Sequence, residues 1–138
     1  MPLKLEIVTP EARIFSDEVD SVVLPGVEGE MGVLPAHANL VTTLTHGELV
    51  YTKGGKSTHF AVGEGLVEVT GSTTRILTDM AVGVEEIDEK AVQEALDRAK
   101  HALENIKPGT DNEEVAAVMA MIQRSSAQLH VKRKRHSL

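Results

Sequence analysis

The side chains most able to do chemistry in this 138-residue chain are six histidines, scattered carboxylates and a run of four cations near its end. The histidines (His37, His46, His59, His101, His130 and His136) form no His-x-His or His-Glu-x-x-His pair. A zinc or iron site is therefore not expected, and hydrogen-bonded or solvated imidazoles are. The absence of cysteine removes disulfides, thiolate metal sites and cysteine nucleophiles together. No Gly-x-Ser-x-Gly nucleophile elbow occurs. The stretch LPGVEGEMGVLPAHANL, residues 24–40, repeats glycine at Gly26, Gly29 and Gly32, but it lacks the lysine and hydroxyl of a phosphate loop and opens no helix. Its glycines are expected to serve turns, as are those of VGEGL, residues 62–66. No catalytic residue and no metal ligand is assigned, and binding is the better expectation than catalysis.

The net charge of −7 is unevenly spread. Residues 1–86 carry thirteen acidic and five basic side chains, residues 87–138 eight acidic and nine basic. Four of those nine are the run Lys132, Arg133, Lys134 and Arg135. Nucleic-acid binding through this run is a rival function, but the rest of the chain is acidic and no aromatic ring accompanies the cations as a stacking platform. Most terminal charge runs are solvated tails. No apolar run is long enough to span a bilayer, and the N-terminus lacks the layout of a signal peptide. A soluble intracellular chain is expected, or one held to a membrane assembly by protein contacts without inserting.

The elements that must position these groups change character near residue 86. Before it lie ten of the eleven glycines, four of the five prolines and every aromatic residue. Leu3, Leu5 and Ile7 alternate with Lys4 and Glu6, the period of a half-buried strand. SVVLP, LVTTL, ELVYT, THFAV, LVEVT and TRILT follow as short β-branched runs, with turn signals at Gly54-Gly55 and Gly71-Ser72. An antiparallel β-sandwich or flattened barrel is the expectation for residues 1–86. Residues 87–138 read as two helices. Asp88 is the expected N-cap of the first, with Ile87 stapling onto Val92, and the apolar face runs Val92, Ala95, Leu96, Ala99, Ala102, Leu103, Ile106. Lys107-Pro108-Gly109 is expected to end it, and Thr110 with Glu113 to form a capping box for the second. The short connection makes the pair antiparallel. Their facing residues are largely alanine and, on the second helix, Ser125 and Ser126, so they hold each other weakly and need a surface to lie on. The fold class is thus α+β in two domains, a β-sandwich followed by a helical hairpin.

Four stretches in this order resemble the epsilon-subunit family of bacterial and chloroplast ATP synthases: LKLEIVTPEARIFSDEVDSVVLPG, LPGVEGEMGVLPAHANL, FAVGEGLVEVTGSTTRILTD and EEIDEKAVQEALDRAKHAL with a second helix after it. The resemblance implies a ten-stranded sandwich and two helices in a non-catalytic subunit of the rotating central stalk. It implies partners in the gamma subunit, the c-subunit ring and the alpha/beta catalytic head, coupling of the rotor to a proton-translocating ring, and inhibition of ATP hydrolysis when the helices extend. The implied location is peripheral, on the cytoplasmic face of the bacterial inner membrane, or the stromal face of the thylakoid for a plastid protein. The alternative is a free-standing regulatory binding module with a basic nucleic-acid-binding tail.

The resemblance also implies roles for particular residues. Glu30, with Glu28 and Met31 beside it, falls where the family faces the c ring, and His37 matches a histidine near gamma; a turn-stabilising hydrogen bond is an equal alternative for His37. Lys132, Arg133, Lys134 and Arg135, with Arg124, match the cations that reach the beta subunit. A regulatory ATP motif, Ile/Leu-Asp-x-x-Arg-Ala, aligns with Ile87 to Val92. Asp88 is kept, but Ala91 and Val92 replace the arginine and alanine, and Gln128 stands where a later arginine is expected. Arg98 and Arg124 remain. Loss of two guanidiniums removes planar bidentate contacts that Lys90 replaces only in part, so ATP binding through Asp88, Arg98 and Arg124 is expected to be weak or absent, with no other cofactor.

Overall fold

The computed structural model describes residues 3–34 and 39–136, the last two of these in backbone only. Ten strands come first: β1 (Leu3–Val8), β2 (Arg13–Val19), β3 (Ser21–Gly26), β4 (Gly29–Val33), β5 (Leu40–Leu44), β6 (Gly47–Lys53), β7 (Lys56–Val62), β8 (Gly65–Thr70), β9 (Thr73–Thr78) and β10 (Ala81–Gly83). A single 3-10 turn (Val84–Glu86) leads to α1 (Glu89–Glu104) and α2 (Asn112–His136).

The strands join in the order β10-β7-β6-β3-β5-β8-β9-β1-β2, with β4 as a further partner of β3. Pairing is antiparallel except between β1 and β9, which the long chain connecting them allows to run parallel. The alternation seen in β1 puts Leu3, Leu5 and Ile7 inside, where they meet Val22, Leu24, Val33, Leu44, Leu49, Val62, Val67 and Ile76, all fully buried. At about 1.5–3 kcal/mol for each large apolar side chain, this core is the main source of stability. It draws on no residue of either helix.

All three aromatic residues gather at one place. Phe15 of β2 lies 4.7 Å from Tyr51 of β6, and Phe60 of β7 is 6.2 Å from each, in tilted and edge-on contacts. Lys53 Nζ, 2.6 Å from Asp17 Oδ2, ties β6 to β2 beside them. The ribbon of strands is thereby folded over into a sandwich.

Gly54 and Gly55 both have positive φ, 59° and 79°, the mirror-image turn that suits a tight hairpin between β6 and β7. The glycine-rich stretch turns out to be more than a loop. Its first part is the β3–β4 hairpin, with Gly26 opposite Gly29 and Val27 and Glu28 at the tip. Two glycines in GEMGV conceal β4 from propensity arguments, and pairing with β3 supplies what propensity lacks.

Asp88 caps α1 as expected, its carboxylate accepting from Ala91 N at 3.1 Å, and Ile87 and Val92 share one apolar cluster. The helix stops at Glu104, before the Lys107-Pro108-Gly109 signal, because the Asn105 side chain donates to the His101 carbonyl at 2.8 Å. The expected Thr110–Glu113 capping box does not form. Asp111 Oδ1 takes the Glu113 amide at 3.0 Å, while the Thr110 hydroxyl donates back to the Lys107 carbonyl. A carboxylate nearer the first turn is the stronger cap because its charge also meets the helix dipole.

The weak hairpin does find a surface. α2 lies across the outer face of β6 and β7, and α1 packs along α2. Val131 joins Ala61, Met80, Val84 and Ile87 in a small cluster separate from the sandwich core. Leu96, Ala99, Ser125, Ala127 and Leu129 are the other buried helical residues. Ser125 is thus tolerated inside, where a leucine would have made the docking firmer.

Candidate functional site

The seam between α2 and the sandwich collects the basic side chains of the C-terminal run. Arg124 NH1 is 3.9 Å from Asp79 Oδ2 in the turn before β10. One turn on, Gln128 Nε2 donates to the Met80 sulfur at 2.9 Å. Lys132 Nζ donates to the Val84 carbonyl at 3.1 Å. Arg133 Nε donates to Glu89 Oε1 and its NH2 to Gln93 Oε1, both at 2.7 Å. Lys134 Nζ is 3.6 Å from Glu48 Oε1 on β6. Successive residues of a helix point about 100° apart, so three consecutive cations reach the 3-10 turn, α1 and β6 in turn. Lys132, Arg133 and Lys134 are therefore not a solvated tail.

Glu48 is the least exposed of the carboxylates that receive these cations, its side chain 14% exposed against 38% for Glu89 and 47% for Asp79. Its second oxygen, Oε2, lies 3.5 Å from Nδ1 of His59 on β7. That Nδ1 is buried and makes no hydrogen bond among the described residues. Beside this group a cleft of about 460 Å³ separates β6 from α2, lined by Glu30, His46, Glu48, Ala127, His130 and Lys134 among others. No cluster of histidines and carboxylates suited to a metal ion is present among the described residues.

On the β3–β4 hairpin Glu28 and Glu30 are exposed, whereas Met31 turns inward against the core. The outer face of the opposite layer carries a row of uncovered apolar side chains. Leu66 of β8 pairs directly with Leu77 of β9, which pairs with Val8 of β1, and Val41 of β5 lies diagonally beside them. Val41 is 68% exposed and Leu66 48%. Contiguous exposed apolar surface of this kind commonly marks a contact with another protein.

The family model described as ATP synthase, Delta/Epsilon chain, beta-sandwich domain matches residues 2–84. The ATP synthase epsilon chain of Herpetosiphon aurantiacus is 38% identical over 137 residues, covering 99% of this chain and 98% of its own. The chain belongs to the ATP synthase epsilon chain family. The epsilon chain of Carboxydothermus hydrogenoformans is 46% identical over 106 residues, 77% of this chain and 79% of the relative. That of Geotalea uraniireducens is 38% identical over 94% and 92% of the two chains. Among solved structures, a chain in the Euglena gracilis mitochondrial ATP synthase OSCP/F1/c-ring structure superposes with a TM-score of 0.71 at 23% identity, covering 99% of this chain and 82% of that one. A chain of the Tetrahymena thermophila mitochondrial ATP synthase central stalk and c-ring gives 0.56 at 16% identity, covering 98% and 96%. These two likenesses concern the fold. An epsilon chain is a non-catalytic subunit of its complex, and no helix here among the described residues is long and apolar enough to cross a membrane.

Of the epsilon-family ATP residues, Asp88 is occupied in capping α1 and Arg124 faces Asp79. Arg98 lies ten residues along α1 from Asp88, about 15 Å by helical rise, and is exposed. One cavity between the helices, about 430 Å³, is lined by Leu96, Ser126, Leu129, His130, Arg133 and Lys134, and a second, nearer their connection, by Ala102, Ile106, Glu114 and Val118 among others, neither with any of the three. His37 lies outside the described residues, and so does the side chain of Arg135. Sequence reasoning missed the acceptors Glu48, Asp79, Glu89 and Gln93. The charge split between an acidic first half and a basic tip was legible, but no local pattern says which side chains receive the cations.

Proposed function

We propose that this epsilon chain is a rotor subunit of the central stalk that couples the rotor to a proton-translocating c ring and restrains ATP hydrolysis through its C-terminal helices. The observation that carries this reading is the seam: an autonomous sandwich core, and a hairpin attached by one small apolar cluster and a few partly solvated polar contacts. Exposed ion pairs are worth about 0–1 kcal/mol each, so such a hairpin can leave without unfolding what it leaves. In the docked state Lys132, Arg133 and Lys134 are engaged by the chain itself. In the extended state Lys132 and Lys134, with Arg124 and Arg135, are free to meet acidic groups of the beta subunit, and Arg133 joins them once the two helices part.

Glu28 and Glu30 at the β3–β4 hairpin are the c-ring contacts in this reading, with Met31 supporting the hairpin from inside. His37 and the exposed row around Leu66 and Leu77 serve gamma. The subunit sits peripherally, on the cytoplasmic face of the bacterial membrane or the thylakoid stroma. ATP binding through Asp88, Arg98 and Arg124 is weak or absent, a reading supported by the engagement of Asp88 in the α1 cap and of Arg124 with Asp79. The nucleic-acid alternative loses ground because two of the cations it needs, Arg133 and Lys134, already pair with Glu89 and Glu48.

The test is ATP hydrolysis by the assembled head with the full chain and with a chain ending at Glu86, with and without millimolar ATP beforehand. Faster hydrolysis with the shortened chain supports the brake. Equal rates would reduce the subunit to docking and coupling, and ATP-dependent release would overturn the expectation of weak binding.

A further inference from the structure

We propose that Glu48 makes hairpin docking pH-sensitive, because its carboxylate is shared between Lys134, which holds α2 down, and His59, whose protonation competes for it. The inference rests on the movable hairpin of the preceding reading. Glu48 Oε1 faces Lys134 at 3.6 Å and Oε2 faces His59 Nδ1 at 3.5 Å, so the two nitrogens approach one carboxylate from α2 and from β7. Burial gives this site leverage. The Glu48 side chain is 14% and His59 23% exposed, less than the 38% of Glu89 beside Arg133, and the lower local dielectric strengthens charge interactions.

With His59 neutral, Glu48 presents a net negative site to Lys134. A proton from solvent on the His59 imidazole turns its contact with Glu48 into an ion pair that draws on the same carboxylate charge. Lys134 is then held less strongly by Glu48 and is repelled by the imidazolium. By linkage, a proton that disfavours docking is itself bound more readily when the hairpin is away, so acid releases the hairpin. Histidine is the side chain whose ordinary titration falls between about pH 5 and 8.

The other charged groups near His59 do not reproduce this arrangement. Glu85 and Glu86, from the 3-10 turn, and Lys56, from its own strand, line a cavity of about 400 Å³ on its other flank. They form no ion pair with His59 among the described residues. His46 and His130 border the cleft on the far side of Glu48 and Lys134, and are the obvious competing titrants.

The chain has no cysteine, so spin labels can be placed on the full protein through Thr70→Cys on β8 and Met119→Cys on α2, both exposed positions. The distance distribution between them at pH 8 and pH 5.5 reads the docked-to-released ratio. We expect that ratio to fall about two- to fivefold on acidification, the scale of losing one partly exposed pair. His59→Gln should abolish the step, and His59→Lys should favour release at both pH values. His46→Gln and His130→Gln should leave the step in place. A step that survives His59→Gln, or vanishes with His46→Gln or His130→Gln, overturns the inference. Release by Glu48→Gln, with no pH step in the unaltered chain, sinks the role of His59 and leaves the movable brake standing. A hairpin docked in every variant, His59→Lys and Glu48→Gln included, sinks both.

Discussion

Arg133 Nε lies 2.7 Å from Glu89 Oε1, which ties the last turns of α2 to the first turn of α1. The contact is internal to the hairpin, so the two helices can move as one body when the seam to the sandwich opens.

Arg133→Ala should therefore loosen the hairpin and spare the sheet. The pair is half exposed, so the loss in overall stability is at most about 1 kcal/mol. Hydrogen exchange should quicken at the amides of α1's first turns and stay unchanged in β1, β8 and β9. Faster exchange in those strands would contradict the independence of the two bodies.

Val131→Asp should act on the seam itself. Val131 is fully buried among Ala61, Met80, Val84 and Ile87, with no partner there for a carboxylate. Docking should weaken by at least about 2 kcal/mol. Under the proposed function, the assembled head carrying this variant should hydrolyse ATP more slowly than one with the unaltered chain, at equal gamma and c-ring assembly. An unchanged rate would count against the brake.

Glycines of the sandwich should divide sharply. A Cβ at Gly65 would stand 1.8 Å from the Leu77 carbonyl oxygen, so Gly65→Ala must push β8 from β9 at a cost of about 1–3 kcal/mol. At Gly32 a Cβ meets nothing within 4 Å and φ is not positive, so Gly32→Ala should stay within about 0.5 kcal/mol. Urea midpoints compare the two. A Gly32→Ala chain of full stability that nevertheless assembles poorly would locate a partner's backbone at that position.

Acid should weaken the sandwich through two carboxylates. The Arg75 guanidinium, hydrogen-bonded at 3.2 Å and helped by Lys4, holds the Glu6 carboxyl below its ordinary value of 4.5. The Lys53 ammonium does the same for Asp17, below 3.8, with the Glu18 amide assisting. Each lowered group binds fewer protons when folded, so its stabilisation is present above the ordinary value and disappears as pH falls through the lowered one. Asp17 in return holds the Lys53 amine above 10.5, a contribution lost as pH rises past that raised value. Asp17→Asn should thus lower the urea midpoint at pH 7 and make no difference at pH 2. A gap that persists in acid would mean that Asp17 acts through packing and not charge.

The strands most legible in the sequence were those with alternating or β-branched runs, and the glycine pair at 54 and 55 announced its turn. β4 was hidden because a strand with two glycines owes its existence to the partner it pairs with. The helices were legible from their apolar faces, but their ends were decided by Asn105 and Asp111, polar side chains competing for the same few backbone groups. The seam was the least legible part. Glu48 and Lys134 are 86 positions apart in the numbering, and nothing short of the folded sheet reveals that one receives the other.

The cluster of Phe15, Tyr51 and Phe60 has a practical consequence for all of these measurements. The chain contains no tryptophan and no aromatic residue beyond these three, so its near-ultraviolet spectrum originates wholly inside the sandwich. The hairpin is optically silent at those wavelengths, while its helices dominate the far-ultraviolet signal. A single heating scan recorded in both regions would separate melting of the hairpin from melting of the sandwich beneath it, with no label attached.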